Sequence, residues 1–304
     1  MILGKEIRVA LVGPGAVGRG MAALAKRAGA RYGFWGRQGP TRLAATVNGV
    51  GLDSPSDQTV DLSPEEQLDF AADPACDLVF LTVKSYQLEQ AFQVVIRELS
   101  SPVVVSLCNG AVWEDLEDLA MTSPEREKLR LGIVTFGMRP ENGDIWQMTA
   151  GQCRWGRLQP NPTAVMGEPS ETALIAKEPR FDWLPDARGA AQIKWLFNCV
   201  INSLCAVHNL PRNGDLLARP QELKELFAEV YNFGANKWGG FVQPQEKIWH
   251  SLVELIQATA DNQNSMVQDL RNNRQLEVES LLGKLRGDQD SPFANRLYRN
   301  LKVK

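Results

Sequence analysis

The 304-residue sequence has few cysteines and few histidines, and neither residue type forms a metal or disulfide pattern. Its five cysteines are odd in number and include no C-x-x-C pair, which argues against a zinc site or a disulfide framework. They are typical of small buried side chains in a reducing compartment. The two histidines, His208 and His250, follow no predicted strand, so a lactate-dehydrogenase-like catalytic histidine is not expected.

Long apolar runs and a strong excess of one charge are also absent. Apolar stretches such as Leu78–Val83 suit buried strands and fall far short of the roughly 20 residues needed to span a bilayer. A net charge of −3 gives no reason to expect nucleic acid or an anionic membrane as a partner. The first residues lack the pattern of a secretory signal. We therefore expect a cytoplasmic protein whose partner is a small molecule.

The first half of the chain alternates short apolar runs with helix-like segments. Strands are predicted at Ile7–Val12 and Arg31–Trp35, with an amphipathic helix at Ala16–Ala28 between them. Leu78–Val83 and Val103–Leu107 are almost continuously apolar, as in parallel strands that are covered on both faces. This alternation predicts an α/β fold with a doubly wound parallel sheet of the Rossmann type.

The second half of the chain is predicted to be mostly helical. Residues Gly132–Trp155 indicate additional strands with a hairpin turn at Glu141–Gly143. Beyond them, helical spacing predicts four helices, at Ala190–His208, Gln221–Trp238, Ile248–Asn272 and Glu277–Leu285. We therefore expect a Rossmann domain over residues 1–184 and an all-α C-terminal domain over residues 185–304.

A glycine-rich motif follows the first predicted strand. Gly13, Gly15 and Gly18 form a G-x-G-x-x-G pattern where the predicted helix opens at Ala16 and Val17. These glycines permit a tight turn, a close approach of the backbone to a pyrophosphate, and close packing of helix on strand. The free N–H groups of the helix N-terminus favour an anion there. The placement predicts a dinucleotide site.

The charges after the second strand favour NADPH over NADH. An NAD site expects an acidic residue about 20 residues beyond the loop. No Asp or Glu lies between Glu6 and Asp53, and Arg37 stands at the expected place with Arg42 nearby. A guanidinium pairs well with a 2′-phosphate. The alternative is a solvated surface arginine, which leaves the missing carboxylate unexplained.

Three polar residues interrupt an otherwise apolar predicted helix. Lys194, Asn198 and Asn202 are four residues apart, so they drift by only about 40° per step and share one helix face. Amides and a lysine inside an apolar helix need hydrogen bonds or a polar cavity. We interpret the stripe as the lining of a ligand cleft. The alternative is a satisfied polar network between buried helices.

A second polar group lies between Thr259 and Glu279. Asn262 and Ser265 are three residues apart on the predicted helix Ile248–Asn272, and Glu277 begins the next apolar stretch. A carboxylate at position 277 could meet Lys194 across the cleft. Taken alone, these residues equally suit a solvated helix face and a first-turn acid that favours the helix dipole.

The chain resembles the ketopantoate reductases (2-dehydropantoate 2-reductases), in the group whose helical domain is like that of 6-phosphogluconate dehydrogenase. The resemblance covers nearly the whole chain. Its motifs are GPGAVG at Gly13–Gly18, Arg37, VKSYQ at Val83–Gln87, CNG at Cys108–Gly110, KWLFNCVINSL at Lys194–Leu204 and DNQNSMVQDLRNNRQLEVE at Asp261–Glu279.

The resemblance implies a role for each motif residue. Lys194 would be the general acid that protonates the carbonyl oxygen, and Glu277 would orient it and contact the cofactor. Lys84 and Asn109 match positions on the cofactor side of the cleft, where Asn109 also reaches the substrate. The substrate-binding side chains would be those of Asn198, Asn202, Asn262 and Ser265. The implied reaction is the NADPH-dependent reduction of ketopantoate to pantoate, a step of pantothenate and coenzyme A synthesis.

Two departures from the family pattern concern the substrate. Leu282 replaces a common Asn, and Leu276 stands where a small hydroxyl residue is usual. Two alternatives therefore stay open: a reductase of another 2-oxo acid, such as an opine-type enzyme, and an NADPH-binding regulator without catalysis. The helical domain suits a monomer or a homodimer equally.

One rival pattern falls outside the predicted cofactor domain. Tyr298 and Lys302 have the Y-x-x-x-K spacing of a short-chain dehydrogenase, but they lie near the end of the sequence, far from the predicted sheet. We interpret this spacing as coincidence.

Overall fold

A computed structural model describes residues 6–36, 44–47, 58–100, 102–121, 126–159 and 167–303. The chain forms two compact units. The first comprises Met1–Cys108 and Trp113–Arg188, and the second comprises Asn109–Val112 and Gly189–Lys304. The second unit therefore consists of the C-terminal part of the chain and a four-residue segment from its first half.

The elements follow one another as strands and helices in the first unit and as helices in the second. The strands of the described residues are β1 (Arg8–Val12), β2 (Arg31–Trp35), β3 (Ala44–Val47), β4 (Gln58–Asp61), β5 (Leu78–Leu81), β6 (Val103–Ser106), β7 (Leu129–Val134), β8 (Met138–Asn142), β9 (Ile145–Met148), β10 (Cys153–Arg157) and β11 (Phe181–Trp183). The α-helices are α1 (Ala16–Arg27), α2 (Leu88–Glu98), α3 (Val112–Met121), α4 (Pro169–Lys177), α5 (Ala187–Val207), α6 (Pro220–Trp238), α7 (Gln245–Ala258), α8 (Ser265–Arg271) and α9 (Pro292–Lys302).

The main sheet of the described residues has the order β2-β1-β5-β6-β7-β10-β11. The five strands from β2 to β7 are parallel, whereas β10 runs antiparallel to β7. Every residue of β5 and β6 is buried, which explains their continuous apolar runs. Because β2 and β5 lie on opposite sides of β1, the carboxyl ends of β1 and β5 form the crevice where such sheets bind nucleotides. The predicted Rossmann fold is confirmed.

A smaller sheet has the order β4-β3-β9-β8. Its β8–β9 hairpin confirms the turn predicted at Glu141–Gly143, where Gly143 adopts a φ of +54°. The other two strands, β3 and β4, were not predicted from the sequence, because AATV and QTVD contain no continuous apolar run like those of β5 and β6.

A buried ion pair joins helix α4 to the main sheet. Arg130 on β7 donates from Nε and Nη2 to the two carboxylate oxygens of Glu171, each over 3.0 Å. Both side chains are fully buried. The same carboxylate accepts from Trp155 Nε1 at 2.9 Å and from the backbone N–H of Glu168 at 2.7 Å. Every oxygen of Glu171 is thus satisfied, as a buried charge requires.

The second unit is organised around α5. Trp195, Leu196, Cys199 and Val200 on this helix are at most 1% exposed, and the Trp195 ring packs edge-on against Trp238 with centroids 4.8 Å apart. By length and composition α5 could cross a membrane, since an 18-residue window reaches a mean hydropathy of 1.2. That window is 61% buried, and core helices pass the same test, so it is weak evidence for a span.

Two of the predicted helices are wrong in their extent. The segment Ile248–Asn272 is not one helix: α7 ends at Ala258, and α8 begins only at Ser265. The polar side chains between them bond to the backbone and compete with helical hydrogen bonds. The stretch Glu277–Leu285 forms turns and one 3-10 helix at Leu282–Leu285, and the Ser280 hydroxyl bonds to the Glu277 carbonyl, in competition with a helical hydrogen bond.

The C-terminal helix α9 was not predicted, and it gives the Tyr298–Lys302 spacing a packing role. Glu229 on α6 accepts the backbone N–H groups of Phe293 and Ala294 at the start of α9, at 3.0 and 2.7 Å. Tyr298 Oη donates to Glu279 Oε1 at 2.9 Å, and Lys302 pairs with the same oxygen. The hydrogen bond from Lys302 is the main reason that the pKa of Glu279 lies below its usual value.

Replacing Glu171 with Gln should destabilise the protein strongly, because Arg130 would keep a buried charge without a counter-ion. We expect the free energy of unfolding to fall by about 3–5 kcal/mol in urea titrations. The control is Glu65→Gln, which alters an exposed carboxylate in the same unit and should change stability by less than about 0.5 kcal/mol. Equal stability of the two variants would contradict the assigned role of the pair.

Candidate active site

The glycine-rich loop lies between β1 and α1, at the crevice of the main sheet. Gly13 has a φ of +112°, and a Cβ placed there would lie 2.9 Å from the carbonyl carbon of Thr82. A Cβ on Gly18 would lie 2.0 Å from the carbonyl oxygen of Gly13. Thr82, just beyond β5, also donates its hydroxyl to that oxygen at 2.7 Å. Gly13 and Gly18 are therefore required by the packing of the chain itself.

Gly15 differs from these two glycines because nothing in the protein requires it. It caps α1 in extended backbone, with φ −73° and ψ −171°, and a Cβ there would meet no atom within 4 Å. Gly15 and Ala16 are exposed, Val17 is half-buried, and the first turn of α1 holds no acidic residue. The loop therefore leaves open backbone beside a helix N-terminus, which fits the pyrophosphate of a dinucleotide.

Two basic residues that the structure describes, Lys84 and Arg19, belong to this part of the first unit. Lys84 follows β5 two residues after Thr82 and is half-buried. Arg37, the residue expected at the 2′-phosphate, lies outside the described residues, as does Arg42. Arg19 was not predicted: its Nε donates to the carbonyl of Pro14 at 3.1 Å, and its guanidinium lies 4.5 Å from the Trp146 ring centroid. Burial lowers the pKa of Arg19 from its usual value.

The polar stripe of the second unit lies on α5 as the four-residue spacing predicts. Lys194, Asn198 and Asn202 are half-buried, as are Ile193 and Phe197, whereas the rest of this part of the helix, including Trp195, Leu196, Cys199 and Val200, is almost completely buried. Within the described ranges, the side-chain amide of Asn198 has no hydrogen-bond partner, and that of Asn202 forms a hydrogen bond only through its Oδ1. The stripe thus keeps amide groups that no described residue satisfies.

The buried-network alternative for the stripe holds in part, through a residue that sequence reasoning missed. Asn264 caps α8, is 3% exposed, and donates from Nδ2 to Asn202 Oδ1 at 3.0 Å. An Asn directly before a helix start was the available signal, but the long apolar–polar periodicity hid that start.

Asn262 and Ser265 lie on the two sides of Asn264. Both are exposed, and only Ser265 is helical, so their expected i, i+3 placement on one helix is wrong. The loop that holds them is fixed by backbone bonds: Asn213 N–H donates to Asn262 O at 3.1 Å, and Gly214 N–H donates to Ala260 O at 3.1 Å. Through Asn264, this loop lies beside Asn202 on α5.

Glu277 and Asn109 belong to neighbouring segments of the second unit. Glu277 is 8% exposed and lies just before Ser280, whose hydroxyl donates to the Glu277 carbonyl at 3.1 Å. The Ser280 carbonyl accepts from Ala111 N–H at 2.9 Å. Gly110, at φ +96°, lies so close to Ser280 that a Cβ would be 2.3 Å from its Oγ. The segment that carries Asn109 is thus bound to the turn that carries Glu277.

Three of the cysteines are held in the protonated thiol form by burial. Burial raises the pKa of the Cys199 thiol well above its usual value and that of Cys205 to about 12. Burial likewise raises the pKa of Cys76 to about 12. All five cysteines are free thiols, and the raised pKa of these three suits packing rather than nucleophilic chemistry.

An open glycine loop at the switch point of a parallel sheet, in a chain whose second unit is helical, defines the class of two-unit proteins with a Rossmann domain. Residues 9–160 match the family described as "Ketopantoate reductase PanE/ApbA", and residues 186–287 match the C-terminal part of that family. The chain belongs to the ketopantoate reductase family, which confirms the resemblance carried by its motifs.

Individual relatives are more distant. The chain is 27% identical over 211 residues to the 2-dehydropantoate 2-reductase of Shigella flexneri, a match that covers 68% of this chain and 65% of that protein, slightly less than two thirds of its length. A 2-dehydropantoate 2-reductase from Geobacter metallireducens GS-15 shares the fold with a TM-score of 0.77 at 22% identity, over 98% and 99% of the two chains. D-mandelate dehydrogenase, solved with NADH and anilino(oxo)acetate, shares it with a TM-score of 0.75 at 16% identity, over 98% of each chain.

Replacing Gly15 with Ala should separate ligand binding from folding. Because the added methyl group meets no protein atom, we expect an unchanged free energy of unfolding. Because it occupies the space of the pyrophosphate, dinucleotide affinity in fluorescence titrations should fall roughly tenfold or more. Gly137→Ala is the control, since its methyl group would only touch Thr149 at 3.4 Å. Undiminished affinity of Gly15→Ala would place the dinucleotide elsewhere.

Proposed function

We propose that the protein reduces 2-dehydropantoate to pantoate with NADPH. The observation that carries the proposal is the stripe on α5, where a lysine and two amides share the half-buried face of a helix that is otherwise core. Such a face suits a small polar ligand with a carbonyl and a carboxylate. Family membership supports the same reaction, and the name of the Shigella flexneri relative supports this substrate.

Lys194 is the proposed catalytic acid. When bound, the nicotinamide supplies the hydride to the carbonyl carbon. The Lys194 ammonium donates a hydrogen bond to the carbonyl oxygen, stabilises the negative charge that develops there, and transfers its proton to that oxygen. The product is a secondary alcohol, and the lysine regains its proton from solvent.

The remaining residues hold the lysine and the ligand. Glu277, a buried carboxylate, is the proposed partner that orients Lys194 and contacts the cofactor. Asn109, on the segment bound to Ser280, is proposed to reach both cofactor and substrate. The proposed ligands of the substrate carboxylate and hydroxyl are Asn198, Asn202, Asn262 and Ser265. On the first unit, Gly13, Gly15, Ala16, Val17, Gly18 and Lys84 are the proposed cofactor contacts.

NADPH is proposed rather than NADH because of Arg37. The acid-free stretch between Glu6 and Asp53 gives a ribose 2′-hydroxyl no carboxylate, whereas a guanidinium after β2 suits a 2′-phosphate. The free cysteines suit the reducing conditions of the cytoplasm, where we place the protein.

A different 2-oxo acid is the second candidate substrate. Leu276 and Leu282, which depart from the family pattern beside Glu277, are 9% and 0% exposed, so both act through packing against the turn. The fold shared with D-mandelate dehydrogenase makes aromatic 2-oxo acids the competitors to include in an NADPH oxidation assay. Fast turnover of 2-dehydropantoate alone supports the first candidate, and NADPH binding without any turnover would support the regulator.

Replacing Lys194 with Met should remove the proton donor but keep the helix. We expect kcat to fall by about 10²–10⁴-fold while the Kd for NADPH stays within about twofold. Lys224→Met, which alters an exposed lysine on α6, is the control and should turn over normally. A kcat within about tenfold of the unaltered enzyme would rule out the role of Lys194.

Replacing Arg37 with Met should weaken the preference of the enzyme for NADPH over NADH. We expect kcat/KM with NADPH to fall roughly ten- to hundredfold, because a charged hydrogen bond to the 2′-phosphate is lost, while kcat/KM with NADH stays unchanged. Arg31→Met, at the opposite end of β2, is the control. Equal losses with both cofactors would show that Arg37 does not recognise the phosphate.

A further inference from the structure

The side chain of Asn264 uses every hydrogen bond that an amide can make. Its Oδ1 accepts from the backbone N–H groups of Met266 and Val267, at 3.1 and 3.3 Å. Its Nδ2 donates to Oδ1 of Asn202 at 3.0 Å and to Oδ1 of Asn213 at 3.2 Å. At 3% exposure the group has no access to water as a substitute partner.

These bonds leave Asn264 one orientation. Rotating its amide by 180° would turn Nδ2 toward the N–H groups of Met266 and Val267, so that donors would face donors. The oxygen of Asn264 is therefore held by the backbone of α8, and the nitrogen must point toward Asn202 and Asn213. Both of those amides must then offer their oxygen atoms to it.

Asn213 is fixed from its other end as well. Its Nδ2 donates to Thr259 Oγ1 at 3.1 Å, while the Thr259 hydroxyl donates to the carbonyl of Leu255 at 2.6 Å. The hydroxyl proton is thus directed at the helix backbone, and the hydroxyl oxygen is left to accept. A directed chain of hydrogen bonds joins Thr259, Asn213, Asn264 and Asn202, and it is anchored in the backbone at Thr259 and at Asn264.

Asn202 is the last residue of this chain of hydrogen bonds, and only one side of its amide is bound by the described residues. Its Oδ1 is taken by Asn264, and its Nδ2 has no partner among the residues that the structure describes. We propose that Asn264 is a positioning residue that locks the amide of Asn202, so that Asn202 offers only N–H donors to a ligand. The proposal rests on the proposed function for the placement of substrate at Asn202, and it adds that the group bound there is an acceptor, the carboxylate.

Asn264→Asp should reverse the orientation of the Asn202 amide, so that its oxygen rather than its N–H groups faces the ligand. A carboxylate at position 264 still accepts from Met266 and Val267, so the cap of α8 is kept. Since a carboxylate cannot donate, Asn202 must rotate and donate to it, which presents Oδ1 to the ligand. A substrate carboxylate would then face an oxygen, whereas a primary carboxamide could donate its NH₂ group.

Asn213→Asp is the matched control for the added charge. It places a carboxylate beside the same Asn264 nitrogen, which continues to donate to it, and the Thr259 hydroxyl can rotate to donate as well. The negative charge is nearly the same, but the orientations of Asn264 and Asn202 are unchanged. Asn264→Ser provides a neutral variant that keeps the cap and releases the Asn202 amide.

The test measures binding of pantoate and of its primary amide, pantoamide, to the enzyme with NADP⁺ by calorimetry, after thermal unfolding has shown that each variant is folded. The unaltered enzyme should bind pantoate more tightly than pantoamide. We expect Asn264→Asp to lower that preference roughly ten- to hundredfold, Asn264→Ser to lower it less, and Asn213→Asp to keep it.

Equal preference ratios in Asn264→Asp and Asn213→Asp would overturn the proposal, because charge alone would then explain the loss. Failure of the unaltered enzyme to bind either compound would overturn it too. A protein that binds the acid with this pattern but oxidises no NADPH with any 2-oxo acid would refute the proposed reaction and leave the role of Asn264 supported.

Discussion

A polar group that is removed from water needs a hydrogen-bond partner within the protein or in a ligand. In the second unit this requirement applies to the polar side chains of α5. The helix is core on most of its surface, and its two amides, Asn198 and Asn202, are half-buried. One of them, Asn202, is satisfied on a single side by Asn264, which is held in turn by the start of α8. This hydrogen bond, together with the backbone bonds that Asn213 and Gly214 donate, holds the loop around Asn262 beside α5.

The two units prepare for ligands in opposite ways. In the first unit, the proposed recognition of a dinucleotide depends on the lack of a side chain: Gly15 leaves backbone open where nothing in the protein needs the space. In the second unit, the proposed recognition of substrate depends on polar atoms that are held in a defined direction. A glycine loop tolerates any dinucleotide phosphate, whereas a directed amide distinguishes acceptors from donors.

Local patterns predicted much of this structure from sequence. The apolar runs of β5 and β6, the glycine spacing after β1 and the four-residue spacing on α5 each depend on neighbours within one or two turns of chain. What was missed depends on distant partners. Asn264 meets Asn202 and Asn213 at separations of 62 and 51 residues, and Arg130 meets Glu171 at 41. The turn at Glu277–Leu285 likewise depends on a distant partner, since the Ser280 carbonyl accepts from the N–H of Ala111.

The segment Asn109–Val112 shows that the second unit is not a contiguous stretch of chain. The polypeptide leaves the Rossmann sheet after β6, gives four residues to the helical unit, and returns for α3 and β7. A chimera that exchanged the helical part with that of a relative at Gly189 would therefore separate Ser280 from the backbone that it binds at Ala111. Because Gly110 tolerates no side chain against Ser280, recombination between family members has to inherit both pieces together.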